Sequence, residues 1–519
     1  MATTIPIPIA SAPGINRDAT AFESPNFING QWCRWNARAL PCKMAGYSAV
    51  TSRLEEKIYG MDSYVFGPTN YLHLGSQTFL TQIQTNLNGT LIVQDDRTPA
   101  AFAANPANLW QFDYLSLNAT VVDIIAHAGV NLVDIGNVIE TPIYLGQVNL
   151  NTPLTTTVPL ATVSMPNVAG GIFCISPYLV GLSIGGRVDV STPNLVPSTG
   201  PPTSVLGGSA FVTDQKLIRG LPLRNGSGGP AALLWSLDAL IIMTFNAAIL
   251  TGIPFNFNTI SDDISVLSSQ GILEFDGIYY WVGVDRFQIY NGVVQELPNN
   301  MCLDFFFANV NFAQRQKVFA FKVPRWGEIW WCFPTGNNVD CNHAVIYNTR
   351  LKVWYDTPLP DSGRTAGLFA KVFQRPFMTD LDITSTGFTL WQHELGVDKV
   401  LGSRTLPIQS FFQTAEISPI KASQPQNKAF RIDITEPDFN QVGNLLYSVA
   451  GRANARDTFT FSNTIAIPQT PTDAGNQVTL QKTNARLMSF RFESNEPGGN
   501  YSMGKPLAHI ESTDGRYTR

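Results

Sequence analysis

The chain has 519 residues, long enough for two or three domains or for one large β architecture with appendages. Only 14% of its residues are charged, against about 25% in ordinary globular chains, and 44% are hydrophobic; with 41 Gly and 34 Pro this is a strand-and-turn composition. A net charge of -5 excludes a protein that grips nucleic acid by neutralising phosphates along a basic face, while leaving looser DNA contact open.

Residues 1–55 read as an extended arm, interrupted by Pro6, Pro8, Pro13, Pro25 and Pro41 and poor in long apolar runs. The opening MATTIPIPIASAPGINRD has no basic region before its apolar residues, so it is not read as a secretory signal, and the protein is expected to stay where it is made.

Residues 56–400 repeat one plan: an apolar run, a short polar turn and a second apolar run. TNYLHLGSQTFLTQI from Thr69, ATVVDIIAHAGVNLVDIGN from Ala119 and SPYLVGLSIGGRVDVST from Ser176 are its first three instances. The fourth, AALLWSLDALIIMTFNAAILTGI at 231–253, is long enough to cross a bilayer. Asp238 inside it would cost about 2.5–3.5 kcal/mol near a helix centre, so two buried strands with a turn at Leu237 and Asp238 are expected instead. The fifth and sixth are the clearest. FDGIYYWVGVDRFQIYNG at 275–292 is echoed by RWGEIWWCFPTGNNVDCNHAVIYN, in which Ile329-Trp330-Trp331 takes the place of Ile278-Tyr279-Tyr280-Trp281. RPFMTDLDITSTGFTLWQ from Arg375 is the seventh.

Aromatic and β-branched runs bounded by Gly, Asp and Asn are hairpins. Seven of them at a spacing of roughly forty to sixty residues predict a β-propeller core of six to seven blades. A lone small antiparallel sheet has two faces and two edges it cannot satisfy; arranged radially, blades bury their aromatic faces on one another. The doubled aromatics are therefore expected to be blade-to-blade core. Residues 401–519, with KAFRIDITEPDF, NLLYSVAGRANARDTFTF and NARLMSFRFESN, predict a C-terminal β-sandwich-like domain. The whole is an all-β chain.

Catalytic motifs fail in context. GLSIG at 181–185 matches the nucleophile elbow around Ser183, but the elbow needs a following helix and the strand-like GRVDVST follows. GNYSMGK at 499–505 approaches a phosphate-binding loop, yet Pro506 comes next, with neither hydroxyl nor N–H. Asp262, Asp263, Asp285 and Asp356 are the carboxylates a glycosidase pair would draw on, and Asp at turns is commonplace. His73, His127, His343, His393 and His509 never fall at metal-ligand spacing, and are expected on the surface or in loops. Cys33, Cys42, Cys174, Cys302, Cys332 and Cys341 form no C-x-x-C pair and are expected to be reduced and mostly buried. No catalytic, cofactor-binding or metal-ligating residue is assigned, no cofactor is expected, and the chain is read as a non-enzyme.

The runs LIRGLPLRNGSGGPAALLWSLDALIIMTF, ISVLSSQGILEFDGIYYWVGVDRFQIYNGVVQELP, NFAQRQKVFAFKVPRWGEIWWCFP and HAVIYNTRLKVWYDTPLP resemble the propeller-type tail nozzle and tail-hub proteins of short-tailed bacteriophages. APGINRDATAFESPNFINGQWCRWNARALPCKMAGY is similar to the family's N-terminal arm, and NARLMSFRFESNEPGGNYSMGKPLAHIESTDGR to its closing β domain. The chain departs from the family in having Tyr501-Ser502-Met503-Gly504 where Trp-Arg-Leu-Gly is usual.

The resemblance covers most of the chain through architectural motifs. It implies a virion structural protein, present in the tail and, during assembly, in the host cytoplasm. Six copies would form a ring, nozzle or hub, below the portal and adaptor. That ring would meet tail fibre, spike or needle proteins, enclose and gate the channel through which double-stranded DNA passes, and insert nothing into a membrane. Low charge suits such a lumen, because a surface that repels phosphate lets DNA slide. The arm and the edges of the C-terminal domain are the expected ring contacts. The competing class is a surface glycan-binding or glycan-hydrolysing propeller for host recognition; the Ser-x-Asp-x-Gly-x-x-Trp boxes of sialidase-like propellers are absent from the sequence.

Overall fold

The computed structural model describes residues 5–67, 69–86, 89–100, 102, 109–116, 121–129, 140–149, 159–195, 204–223, 229–249, 252–370, 375–382, 384, 386–417, 428–470 and 479–516. Six four-stranded antiparallel sheets follow one another along the chain, and a seventh blade is part of a six-stranded sheet. Blade 1 runs from Ile58–Phe66 to Leu91–Asp96, blade 2 from Gln111–Ser116 to Ala161–Thr162, blade 3 from Gly171–Ile175 to Leu206–Phe211, and blade 4 from Leu217–Pro222 to Phe255–Ser261. Blade 5 spans Leu273–Phe275 to Val294–Glu296 and blade 6 Phe319–Val323 to Val353–Pro358. The first strands of blades 1 to 4 touch in succession, those of blades 5 to 7 do the same, and blade 7 meets blade 1. Blades 4 and 5 join through a shared core that includes Trp235 and Trp281. The chain is a seven-bladed β-propeller carrying a second β module.

Closure explains where the propeller begins. Blade 7 takes three strands, Arg364–Ala370, Arg375–Asp380 and Phe388–His393, from late in the chain and its fourth strand, Tyr47–Leu54, from the start; Lys399–Leu401 and Arg404–Leu406 extend the sheet beyond it. A ring whose last blade holds both ends of the circle cannot open without breaking a ladder, so edge pairing locks the fold. The division at residue 55 is corrected accordingly: Tyr47–Leu54 belongs to the propeller.

Six of the seven sequence hairpins fall on the middle two strands of a blade. Ile278–Val282 and Phe287–Tyr290 are the second and third strands of blade 5, Glu328–Phe333 and His343–Asn348 those of blade 6. These strands are flanked on both edges and both faces, which is why they are rich in large side chains. The rings interlock between blades as expected: Trp235 of blade 4 meets Trp281 of blade 5 edge-on at 5.9 Å, and Phe287 of blade 5 meets Trp331 and Trp354 of blade 6 at 5.0 and 4.8 Å. The 231–253 segment is two strands, Ala231–Ser236 and Leu240–Phe245, turning at Leu237 and Asp238. No helix among the described residues is long and apolar enough to cross a membrane. In blade 2 the expected pairing differs: Val121–His127 pairs with Gln111–Ser116 and Ile143–Asn149, and most of the second run lies outside the described residues.

The arm is not a free extension. Ile5–Pro8 pairs with Leu507–Arg516, Asn29–Gln31 with Ser410–Gln413, and Pro41–Lys43 with both Asn500–Met503 and Cys33–Trp35. The expected arm and C-terminal domain are thus one module built from both ends of the chain, with sheets centred on Leu445–Arg452, Leu487–Ser494 and Lys428–Glu436. Its core runs without a break into blades 6 and 7: Trp32, Trp35 and Phe412 share a cluster with Trp330, Tyr355 and Trp391.

Candidate functional site

Two places gather polar chemistry inside this frame: the propeller axis, and the junction between module and blades. On the axis, side chains from the first strands of six blades line a cavity of about 290 Å³. Because the first strands all start at one face, residues just before them meet there. Gln270, ahead of blade 5, donates from Nε2 to the carbonyls of Tyr59 (2.6 Å) and Trp110 (3.3 Å), so blade 5 is tied to blades 1 and 2 across the axis. Gln111 accepts from the Ile172 N–H at 3.2 Å and donates to the Ile218 carbonyl at 3.4 Å. Asp340 of blade 6 binds Lys57 (2.8 Å), Lys317 (2.9 Å) and the Tyr59 hydroxyl (3.0 Å), reaching past blade 7 to the start of blade 1. Burial would raise the Asp340 pKa, but the two lysines outweigh it and hold it below the usual carboxylate value. Farther along the axis stand Asp62, Arg219, and Lys322 with Glu274 at 3.3 Å.

At the junction, Arg34 of the arm is wholly buried among propeller carboxylates. Its terminal nitrogens donate to both oxygens of Glu394 at 2.8 and 2.6 Å, and Nε lies 2.9 Å from Glu328 Oε1. Glu328 also accepts from the Trp330 indole (2.9 Å) and the Tyr355 hydroxyl (2.6 Å). Burial acts to lower the Arg34 pKa, yet the two carboxylates reverse it and the guanidinium is held well above its ordinary value. A second clamp joins Arg17 to Asp356 at 2.7 Å, with His343 Nε2 at 2.8 Å from the same carboxylate.

The sequence candidates fall apart in space. Ser183 is fully buried, and its Oγ donates to Glu140 at 2.5 Å; a short turn and then the strand Arg187–Ser191 follow it, so the elbow's helix is absent at this position. Asp285 is exposed and paired with its neighbour Arg286 at 2.7 Å. Asp356 is spent on Arg17 and His343. In GNYSMGK the Lys505 and Gly504 N–H groups, which a phosphate would need, are taken by Asp438 at 2.6 and 2.7 Å.

The histidines correct an expectation: all five sit in strands, and His73, His127 and His393 are buried. His73 bridges Tyr114 (2.9 Å) and Gln82 (3.1 Å), and burial pushes its pKa down to about 3. Burial likewise brings His127 to about 4, with its Nε2 on Thr141 at 2.7 Å. All six cysteines are free and buried. Among the described residues no group of three or more His, Cys, Asp or Glu is placed to hold a metal. Arg34, Gln111, Gln270 and Arg219 were not signalled by the sequence, since a lone Arg or Gln in a strand has no motif around it.

No family model matches the chain, and no curated protein matches it. Among solved structures it is similar to the WD40 β-propeller domain of Doa1, at 10% sequence identity and a TM-score of 0.37, over 67% of this chain and 97% of that one.

Proposed function

We propose that this protein is a structural, non-enzymatic component of a short bacteriophage tail, present as a closed ring, nozzle or hub, that bounds the DNA exit channel. The observation that carries the reading is the pairing of the two chain ends. The N-terminal segment and the closing segment, each of which resembles the tail proteins, fold together into one module through Ile5–Pro8 on Leu507–Arg516 and Pro41–Lys43 on Asn500–Met503. That module is joined to blades 6 and 7 by a common core and by Arg34, which suits a rigid wall segment.

The propeller axis is not the conduit. A cavity of about 290 Å³ has no room for a duplex whose major groove alone is about 12 Å wide. The channel therefore lies between copies, and the ring contacts fall to surfaces other than the arm, which is already paired within its own chain. Portal and adaptor above, and fibre, spike or needle proteins at the side or tip, are the proposed neighbours.

Imaging intact virions at subunit resolution tests this. The expected result is six copies in a closed ring around a channel that is not basic. Three peripheral copies arranged as spikes, or a strongly basic lumen, would overturn it in favour of a receptor-binding propeller.

A further inference from the structure

The axial cavity holds a guanidinium whose Nε has no acceptor. Arg219, on the first strand of blade 4, lines the cavity and makes no hydrogen bond or ion pair with a described residue; its Nε is buried without an acceptor. The other charged groups nearby are engaged. Lys322 donates to the Glu274 carbonyl at 2.6 Å and lies 3.3 Å from its carboxylate, which also accepts the Gly277 N–H at 2.9 Å. Asp113 accepts the N–H groups of Cys174 at 2.6 Å and Tyr114 at 2.8 Å, and Asp62 accepts that of Ser63 at 2.7 Å.

Burial lowers the Arg219 pKa, and although Asp62 and Asp113 act against this, burial prevails. The guanidinium therefore stands near two carboxylates without a hydrogen bond to either. Around it the wall is mixed: Phe112, Phe321, Leu221 and Phe369 supply an apolar and aromatic side, and Asp62, Gln111 and Glu274 a polar one. A concavity that sets apolar side chains beside a convergent polar group with unspent donors is a usual make-up of a small-ligand site.

We propose that the axial cavity binds a carboxylate carried on a short apolar body, with Arg219 receiving the carboxylate and the aromatic wall the apolar part. A guanidinium presents five donors in a rigid fork that matches two carboxylate oxygens, so this ligand class meets the unspent donors. Gln270 bridges the axis at the face where the first strands begin, so the ligand enters from the opposite face. The acid is either a free small molecule or the C-terminal carboxylate of a peptide. This site is independent of the tail assignment.

The test is titration calorimetry on the full chain with hexanoate, hexanamide, hexylammonium and acetyl-Leu-Leu bearing a free C-terminus. Hexanoate is expected to bind at least tenfold more tightly than hexanamide, hexylammonium is expected not to bind, and Arg219→Met is expected to lose hexanoate affinity at least tenfold. Tight binding of acetyl-Leu-Leu in place of hexanoate would assign the carboxylate to a peptide end. Failure of both acids to bind, hexanoate affinity unchanged in Arg219→Met, or a preference for hexylammonium would overturn the proposal. If Arg219→Met does not fold, the ranking of the four probes on the native chain decides by itself.

Discussion

Trp110 of blade 2 lies so close over Gly75 of blade 1 that a Cβ at position 75 would stand 2.1 Å from its indole ring. The indole Nε1 also donates to the Ser76 carbonyl at 2.6 Å, so contact and hydrogen bond set one distance between the blades. Gly75→Ala must push the ring away, and overpacking of this kind costs about 1–3 kcal/mol. Urea denaturation of this variant beside Gly396→Ala, where the added Cβ meets nothing within 4 Å, isolates the contact from a general glycine effect. Gly396 has φ +67, so its own substitution carries backbone strain of about 1 kcal/mol. A Gly75→Ala loss no larger than that of Gly396→Ala would show that Trp110 relaxes freely.

Arg34 stands between Glu328 and Glu394, all within the core shared by the module and the propeller. Arg34→Ala leaves two carboxylates facing one another in a buried site, a loss of about 3–5 kcal/mol. Adding Glu328→Gln and Glu394→Gln to the same chain removes the uncompensated charge and is expected to recover part of that loss. Denaturation midpoints of the single and triple variants measure it, and a triple variant less stable than Arg34→Ala would mean that packing of the guanidinium over Trp326, at 4.8 Å, outweighs its charge.

How much of this was legible depended on the range of the interactions. The middle hairpins were readable because strands such as Ile278–Val282 and Glu328–Phe333 are buried on both faces and flanked on both edges, which forces aromatic and β-branched runs. Outer strands such as Ala161–Thr162 and Val294–Glu296 are too short to announce themselves. The pairing of Ile5 with Ile510 has no local signature at all, so a proline-rich arm looked free. Arg34 and Arg219 owe their character to neighbours hundreds or dozens of residues away, and isolated charges in strands carry no spacing to read. The histidines were misplaced for a similar reason: His73 is made tolerable inside by Tyr114 and Gln82, partners that only the fold supplies.

Ser183 is expected to be structural. Its hydroxyl donates to Glu140, which also lies 3.1 Å from Arg187, so the serine helps fix the turn between two strands of blade 3. Ser183→Ala should cost about 1.5–3 kcal/mol, the range for a hydrogen bond to a charged group, and changes at exposed Asp285 should cost almost nothing. The purified chain is expected to turn over neither ester nor glycan substrates. Hydrolysis abolished by Ser183→Ala at unchanged stability would defeat the non-enzymatic reading.

Stability should fall between pH 7 and pH 5, and the buried histidines supply the sign. An unfolded histidine titrates near 6.5, whereas burial holds His73 at about 3 and His127 at about 4, with His393 also driven well down by burial and by Arg364. Between the folded and unfolded values the unfolded chain binds the extra proton. Stability contributed by keeping these rings neutral is therefore fully present above about pH 6.5 and is lost progressively as pH drops toward the folded values. At pH 5 the loss is about 2 kcal/mol for each of His73 and His127. Carboxylates that burial holds above their ordinary value, Glu328, Asp113 and Asp380 among them, gain stability as pH falls and offset part of this loss. Asp340, Asp356 and Asp361 are all held below their ordinary value, so their contribution persists above the unfolded carboxylate pKa and disappears only in stronger acid. His73→Gln keeps an amide able to meet Tyr114 and Gln82 without a proton to gain, and should remove about 2 kcal/mol of the pH 7 to pH 5 loss. Urea denaturation of native chain and variant at pH 7, 6 and 5 gives the slopes directly; identical slopes would mean that His73 is protonated inside the fold as readily as outside it.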